Sequence, residues 1–437
     1  MPTRTHLVLV PGFGGFDMLG QLRYYAGVTP RFNAWKSARG GDAARAVLHY
    51  FDNLPTAAVA TRGRRLRDYL LKRLLRGEFQ RGDRLALVGH STGGLDIRWL
   101  LGDLYDPPAR GAATRVDGVE VAPELLLDLQ PRAVFLSVPQ RGTNVAQWVG
   151  ERCVLRESGK EFLERAVTLY QLDPVRWAET LSSRILAKLA DADLLLAMND
   201  ALTESDAARA RRSAPDRHDR SFAVAAAREA YSQLALWARH IDDDTDAIDD
   251  LRPKAPDSAT LLRERQWLRP GVVPTRSYAT LGRCPFPTGR VSDGRAWSAA
   301  NPLHWPELWA DRTGRTSDLA YRLCYRACAG GQFDVDPAAC EATPIDGGAP
   351  RAIARWENDG IVNTASMLWP DGAATRLVDS DHGDIIGHYA RAPLPSVEGT
   401  GGPARAFDAY DLLLSDSDFG PERFRQVWEE VFDFCVA

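Results

Sequence analysis

Short runs of consecutive apolar residues alternate along much of the chain with longer segments in which apolar positions recur at helical spacing. Uninterrupted apolar runs are typical of strands buried on both faces of a parallel sheet, and the periodic segments are typical of amphipathic helices. Strands are predicted at residues 6–10, 46–51, 85–88, 133–138, 275–281 and 375–378, and helices at 57–79, 405–414 and 421–434. This alternation predicts an α/β fold with a mostly parallel central sheet flanked by helices.

Residues 144–270 break this alternation. They lack strand signals over most of their length, and amphipathic helices are predicted at 177–198 and 222–241 between charged loops. Because strand signals resume afterwards, we interpret residues 144–270 as a helical cap, or lid, inserted into a single domain of residues 1–437. An independent helical domain is the alternative. Residues 107–123 are predicted to be a loop-like insertion.

Charge and hydropathy narrow the choice of partners. The net charge is −4 and charged residues make up 26% of the chain, so no nucleic-acid partner is indicated. A basic cluster on the predicted helix 57–79 is interpreted as its solvated face, opposite an apolar face. The cluster comprises Arg62, Arg64, Arg65, Arg67, Lys72 and Arg73, and the apolar face Leu66, Tyr69, Leu70 and Leu74. No apolar run approaches the roughly 20 residues of a membrane span, so no integral membrane segment is expected.

The chain begins MPTRTHLVLVPG, without the long apolar core and small-residue cleavage site of a signal peptide. We therefore expect a cytoplasmic protein by default, with a trimmed leader or another export route as alternatives. Six cysteines do not settle the compartment. Four of them cluster in the last third and are open to three interpretations, a zinc site, disulfides or buried thiols. These four are Cys284, Cys324, Cys328 and Cys340.

One stretch, RLALVGHSTGG at residues 84–94, joins an apolar strand to a segment with helical spacing. Strand, G-x-S-x-G and helix in this order predict a nucleophile elbow, with Ser91 on a tight, strained turn. Gly89 and Gly93 are expected to be glycine because a Cβ would collide with the neighbouring strand and helix. An ordinary glycine-rich turn between strand and helix is the alternative.

A glycine-rich loop, PGFGGF at residues 11–16, follows the first strand. Such a loop leaves backbone N–H groups free to point into a cavity, which acyl transfer requires for an oxyanion hole. A plain turn before Asp17 is the alternative.

A serine nucleophile needs a histidine base and a carboxylate that orients it, and in hydrolases with this elbow both follow the serine in the chain. His382 lies in DSDHGD (residues 379–384), just after the strand-like TRLV. Asp359 lies in the turn ENDGIV (357–362) and is the preferred acid, with Asp334, Asp336 and Asp379 as alternatives. Singly, each residue has an ordinary explanation, a turn-former and a surface histidine; together with Ser91 they predict a triad.

Five segments resemble the bacterial triacylglycerol lipases and esterases of the α/β-hydrolase superfamily. They read LVLVPGFGGFD, LVGHSTGG, SVPQRGT, ENDGIV and DHGD, and they cover the landmarks of the core but not the helical middle. The resemblance implies an α/β-hydrolase fold and a triad of Ser91, Asp359 and His382. It also implies that the backbone N–H groups of Phe13 and Thr92 form the oxyanion hole.

The chain departs from that family at Pro11 and Gln140, where histidines are usual, which affects pocket shape rather than backbone donors. The family commonly binds calcium through an aspartate two residues after the histidine, here Asp384. Asp334 or Asp336 would supply the second carboxylate, of which we take Asp336. Solvated loop acids are the alternative interpretation, and the chemistry itself requires no cofactor.

The function expected is a serine carboxylic-ester hydrolase, a lipase or esterase, acting on acyl esters or lipids through an acyl-enzyme. Trp148 and Trp177 are candidates for lining an acyl-chain pocket, although such residues are more often plain core. A thioesterase or acyltransferase of the same fold is one alternative. A catalytically inactive module that binds a ligand or partner is another.

Overall fold

The computed structural model describes residues 3–13, 18–19, 22–54, 57–105, 113–151, 250–253, 268–286, 319–330, 340–370, 372, 374–389, 413 and 415–437. Most of the predicted cap, including the helices 177–198 and 222–241, lies outside the described residues. Nearly all of the predicted helix 405–414 does so too. The cap and the single-domain assignment therefore stay predictions.

Twelve strands are described. They are β1 (Thr5–Val10), β2 (Met18–Leu19), β3 (Leu22–Arg23), β4 (Ala46–Tyr50), β5 (Arg84–His90), β6 (Thr114–Val116), β7 (Val119–Val121), β8 (Arg132–Leu136), β9 (Thr275–Leu281), β10 (Glu341–Pro344), β11 (Arg351–Ala352) and β12 (Arg376–Asp379). Eight of them form one sheet in the order β11-β10-β12-β9-β8-β5-β1-β4. All neighbours in this sheet pair in parallel except β10 and β11.

Six helices belong to the described residues. They are α1 (Val28–Arg39), α2 (Val59–Leu75), α3 (Thr92–Tyr105), α4 (Asn144–Glu151), α5 (Leu319–Gly330) and α6 (Pro421–Val436). None of them is both long and apolar enough to cross a membrane.

Helices cover both faces of the sheet, which explains the uninterrupted apolar runs of its central strands. Along β1, Val8 and Val10 belong to one apolar cluster with α2 and α3. Leu7 and Leu9, which point to the opposite face, belong to a second cluster with α1 and α6. The sheet is therefore the middle layer of three, as the apolar runs predicted.

Two predictions about the first third of the chain were wrong. Residues 107–123 were expected to be loop-like, but β6 and β7 form an antiparallel hairpin there. Arg62 was expected on the solvated face of its helix, but its side chain is fully buried. Arg62 lies four and eight residues before the buried Leu66 and Leu70, so helical geometry places it on the apolar stripe.

The carboxyl ends of the parallel strands meet at one edge of the sheet, where ligands of open α/β sheets bind. β1 leads there into the loop 11–13, and β5 into Ser91. β12 leads into the loop that carries His382. The parallel sheet, its covering helices and the strand–turn–helix around Ser91 constitute an α/β-hydrolase fold, as the resemblance implied.

Candidate active site

Ser91 occupies the turn between β5 and α3 with a φ of +53°, a left-handed conformation that is uncommon for a residue with a Cβ. A Cβ on Gly89 would lie 2.6 Å from the Gly94 backbone in α3, and one on Gly93 would lie 2.3 Å from the Val10 carbonyl oxygen. Neither backbone can yield to a side chain at these distances. The strained elbow and its two required glycines are confirmed.

The loops after β12 and before the turn Thr364–Met367 bring His382 and Asp359 into contact. The Nδ1 of His382 lies 2.7 Å from Oδ2 of Asp359, and the His382 backbone N–H donates to the Asp359 carbonyl at 3.1 Å. Asp359 is completely buried, and only about a tenth of the His382 side chain is exposed (11%). The two residues chosen from the sequence are therefore direct neighbours.

Asp359 is held by three further donors. Its Oδ1 accepts the backbone N–H groups of Ile361 at 3.0 Å and Val362 at 2.7 Å. Its Oδ2 accepts the Thr280 hydroxyl at 2.6 Å beside the His382 contact. Both oxygens of the side chain are therefore engaged by donors. A carboxylate at this position accepts the Nδ1 proton of His382, which leaves Nε2 as the basic nitrogen of the ring.

Ser91 and His382 are neighbours through His90. The rings of His90 and His382 have centroids 4.6 Å apart, and Nε2 of His90 lies 3.0 Å from the His382 carbonyl oxygen. Within the described residues, no hydrogen bond joins the Ser91 hydroxyl to the His382 ring. Such bonds are often long in structures without substrate and tighten when the substrate binds.

His90 itself connects three parts of the site. A carbonyl only accepts, so the Nε2 of His90 carries the proton and donates to His382. The Nδ1 of His90 then accepts the Tyr24 hydroxyl at 2.7 Å, and that hydroxyl accepts the Gly12 N–H at 2.8 Å. Burial holds the pKa of His90 well below its usual value, so the ring is neutral as this arrangement requires. The glycine-rich loop, the elbow and the histidine loop thus share one hydrogen-bond chain.

The predicted oxyanion donors lie on both sides of the nucleophile. Thr92 begins α3, so its backbone N–H has no acceptor within the helix. Phe13 follows Gly12, whose Cβ position would be only 2.6 Å from the Ser91 Cβ. The structure brings both backbone segments next to Ser91; their role as oxyanion donors stays a prediction.

The buried Arg62 clamps the glycine-rich loop. Its Nη2 donates to the carbonyl oxygens of Pro11 at 2.8 Å and Gly12 at 3.1 Å. The same nitrogen pairs with the fully buried carboxylate of Asp96 in α3 at 2.9 Å, and Asn53 also donates to Asp96. Sequence reasoning missed this contact, although the helical spacing of Arg62 with Leu66 was a usable signal.

Other predicted residues are less informative. Gln140 is buried, and its side-chain oxygen accepts a hydrogen bond from Arg98 at 2.7 Å. Trp148 lies in α4, without a described side chain, and Trp177 is outside the described residues. Asp379, an alternative acid, is exposed and is not the hydrogen-bond partner of His382. Asp334, another alternative acid, lies outside the described residues.

The calcium prediction remains open. Asp384 is completely buried, and its Oδ2 accepts the Asp381 N–H at 2.9 Å and the Ser417 hydroxyl at 2.7 Å. Calcium takes six to eight oxygen ligands. The described residues contain no group of three or more metal-ligating side chains, and Asp336 is outside them. The residues described do not by themselves make a calcium shell.

Four cysteines of the described residues are free thiols, namely Cys284, Cys324, Cys328 and Cys435. Burial raises the pKa of Cys324 and of Cys435 to about 12, which keeps both sulfurs protonated and unreactive. Of the three interpretations, buried thiols fit Cys324 and Cys328.

No family model matches the chain, and no curated protein matches it. Several solved bacterial hydrolases are similar in structure. EstA from Clostridium botulinum is 16% identical over 88% of this chain and 83% of its own, with a TM-score of 0.45. Lipase 1 from Pelosinus fermentans is 14% identical over 88% and 94%, with a TM-score of 0.40. The metagenomic carboxyl esterase MGS0156 is 13% identical over 99% and 76%, with a TM-score of 0.38.

Proposed function

We propose that this protein is a serine carboxylic-ester hydrolase, a lipase or esterase that works through an acyl-enzyme. The contact that carries the proposal is the 2.7 Å hydrogen bond between His382 Nδ1 and Asp359 Oδ2. It leaves Nε2 as the basic nitrogen of a ring that lies beside the elbow of Ser91. Ser91, with its strained backbone, directly follows His90, whose ring packs on that of His382.

In the proposed reaction, His382 Nε2 takes the proton of the Ser91 hydroxyl as its oxygen attacks the ester carbonyl carbon. Asp359 stabilises the imidazolium, and the N–H groups of Phe13 and Thr92 donate to the oxyanion. The imidazolium then protonates the leaving alkoxide. The same nitrogen then takes a proton from water as the water oxygen attacks the acyl-enzyme. The bond from the acyl carbon to the Ser91 oxygen breaks, that oxygen takes the proton back from His382, and the carboxylic acid leaves.

The buried contacts around Ser91 support this reaction by fixing the reacting groups before substrate arrives. Arg62 holds the carbonyls of Pro11 and Gly12, so the next N–H, that of Phe13, has a defined position. His90 holds the backbone of His382. Preorganised donors of this kind need no rearrangement as charge develops, which is why they lower the barrier.

The test is hydrolysis of p-nitrophenyl esters of increasing chain length by the wild type and by Ser91→Ala. We expect saturable hydrolysis by the wild type and none above background by the variant. Ser37→Ala is the matched control, because the Ser37 hydroxyl is exposed and bonds only to the Asn33 carbonyl in α1 among the described residues. Full activity in Ser91→Ala would refute the proposal.

The same assays separate the alternatives. A preference for long-chain and triglyceride esters would identify a lipase, and one for short, soluble esters an esterase. Faster turnover of acyl-CoA would instead identify a thioesterase or acyltransferase.

A structural calcium at Asp384 is retained as a prediction: removal of calcium with a chelator should lower the melting temperature, and readdition should restore it.

A further inference from the structure

The acid of the site shares one oxygen between two donors. Asp359 Oδ2 accepts the Nδ1–H of His382 at 2.7 Å and the hydroxyl of Thr280 at 2.6 Å. Thr280 is the penultimate residue of β9 and is completely buried. A hydroxyl oxygen this close to a carboxylate oxygen makes a strong, charge-assisted hydrogen bond.

A second hydroxyl extends this contact. Thr280 Oγ1 lies 2.9 Å from Ser137 Oγ. A hydroxyl has one proton and a carboxylate only accepts, so the proton of Thr280 goes to Asp359 at 2.6 Å. Ser137 Oγ is the next polar atom, so Ser137, Thr280, Asp359 and His382 form one contiguous series of polar contacts.

The backbone and the burial of Ser137 fix the position of its hydroxyl. It follows β8 with a φ of +50°, in the left-handed region, and its side chain is completely buried. Its backbone N–H donates to the Tyr278 carbonyl of β9 at 2.9 Å. This conformation is strained for a residue other than glycine, and such strain collects at functional sites.

Thr280 is equally constrained. Its backbone N–H contacts the Met367 sulfur at 3.2 Å, and its carbonyl accepts the Thr364 hydroxyl at 2.8 Å. With both backbone groups engaged at the end of a sheet strand, the position of the hydroxyl relative to Asp359 is set by the fold.

We propose that Thr280 and Ser137 are positioning residues of the triad, which hold the Asp359 carboxylate so that Oδ2 meets the His382 ring. The two backbone N–H groups fix Oδ1, but Oδ2 is held only by His382 and Thr280 among the described residues. Without the Thr280 hydroxyl, Oδ2 keeps only the His382 ring as its partner among the described residues, so its position and the orientation of the ring are held less firmly. This inference rests on the proposed function.

The test compares kcat and KM of the wild type with Thr280→Val, Thr280→Ala and Thr280→Ser on one p-nitrophenyl ester. Loss of the hydroxyl in Val and Ala should lower kcat about tenfold or more and leave KM within about twofold, because substrate binding is not touched. Serine keeps the hydroxyl and loses only the methyl group, so it should restore kcat to within about threefold of wild type. Alanine and serine differ only in that hydroxyl and form the matched pair.

Ser137→Ala removes the second link and leaves the Thr280–Asp359 bond, so its fall in kcat should be smaller than that of Thr280→Ala. Thermal unfolding of every variant checks that the fold persists. Wild-type kcat in Thr280→Val, or equal losses in the alanine and serine variants, would overturn the inference. Absence of hydrolysis by the wild type would instead overturn the proposed function, so the two failures are distinguishable.

Discussion

Two buried histidine–carboxylate pairs lie at opposite ends of the same sheet. His382 and Asp359 meet beyond the carboxyl ends of the strands, with 2.7 Å between Nδ1 and Oδ2. His6, near the start of β1, meets Asp83, just before β5, with 3.1 Å between Nε2 and Oδ2. By residue type and burial the two pairs are similar, and only one of them is part of the proposed active site.

The difference lies in the partners of each pair. His6 uses both ring nitrogens, because its Nδ1 lies 3.0 Å from Nε2 of His49. Asp83 is balanced by the Arg4 guanidinium at 3.1 Å. At the other end, Asp359 has only uncharged donors besides His382 among the described residues, and Nε2 of His382 has no hydrogen-bond partner there. The His6–Asp83 pair, in which both ring nitrogens are engaged, connects the start of β1 to the start of β5. The His382–Asp359 pair leaves Nε2 of its ring available to accept a proton.

The largest effect is expected from Asp359→Asn. An amide accepts the Nδ1 proton more weakly than a carboxylate and does not stabilise an imidazolium, so on the proposed function kcat should fall about 10³–10⁴-fold, as in known triads that lose this carboxylate. Steady-state kinetics measure it. The matched change at the opposite end, Asp83→Asn, should leave kcat unchanged; an equal loss there would remove the distinction between the pairs.

Arg62→Met tests the contact between Arg62 and the loop that precedes Phe13, at the Ser91 end of the sheet. The change leaves the buried Asp96 carboxylate without its cation, which costs about 3–5 kcal/mol of unfolding free energy. Urea denaturation measures it. Arg64→Met on the same helix is the control, because Arg64 is exposed and should change stability by less than about 0.5 kcal/mol. Equal free energies of unfolding of the two variants would show that the Arg62 contacts do not stabilise the fold.

Asp83→Asn tests how much the pair at the opposite end of the sheet contributes to stability. The variant loses the charge in the contacts with Arg4 and His6, so the free energy of unfolding should fall by about 1–3 kcal/mol. Urea denaturation of the variant gives this value. A variant as stable as the wild type would mean that the His6–Asp83 pair does not stabilise the packing of β1 and β5.

A smaller, pH-dependent effect is expected at His49. Burial, with the neighbouring His6, lowers the pKa of His49 from its ordinary 6.5 to about 4. Between these values the unfolded chain binds a proton that the folded protein does not, so stability is complete above about pH 6.5 and falls as the pH drops towards about 4. The other charged groups acting on His49 are Arg4, Arg73 and Glu78.

His49→Gln should reduce this loss, which is measured by urea midpoints at about pH 7 and about pH 5. His6 also has a lowered pKa, so part of the pH dependence should persist in the variant. An unchanged difference between the two midpoints would contradict the assignment to His49.

The sequence predicted those features that local pattern determines. Strand β9 was placed at its observed bounds, Thr275–Leu281, and the elbow was recognised because strand, turn and helix are contiguous. His382 and Asp359 could be chosen because each lies in a short polar turn of a recognisable order. The structure brings these two residues into contact, and their catalytic role stays a prediction.

What the sequence did not reveal depends on contacts between distant residues. Thr280 looks like any polar residue of a half-buried strand, and its contact with Asp359 is 79 residues away. Tyr24 lies in a segment without a clear period, so its bridge between Gly12 and His90 was invisible. The strands β6 and β7 have three residues each, too few for a periodic signal.

The central claim is that Ser91 is the nucleophile and that His382, oriented by Asp359, activates it. Reaction of the folded protein with a fluorophosphonate, followed by mass mapping of its peptides, tests it most directly. We predict a single adduct on the peptide containing Ser91, lost in Ser91→Ala and strongly slowed in His382→Ala. An adduct on another residue, or none on folded wild-type protein, would contradict the claim.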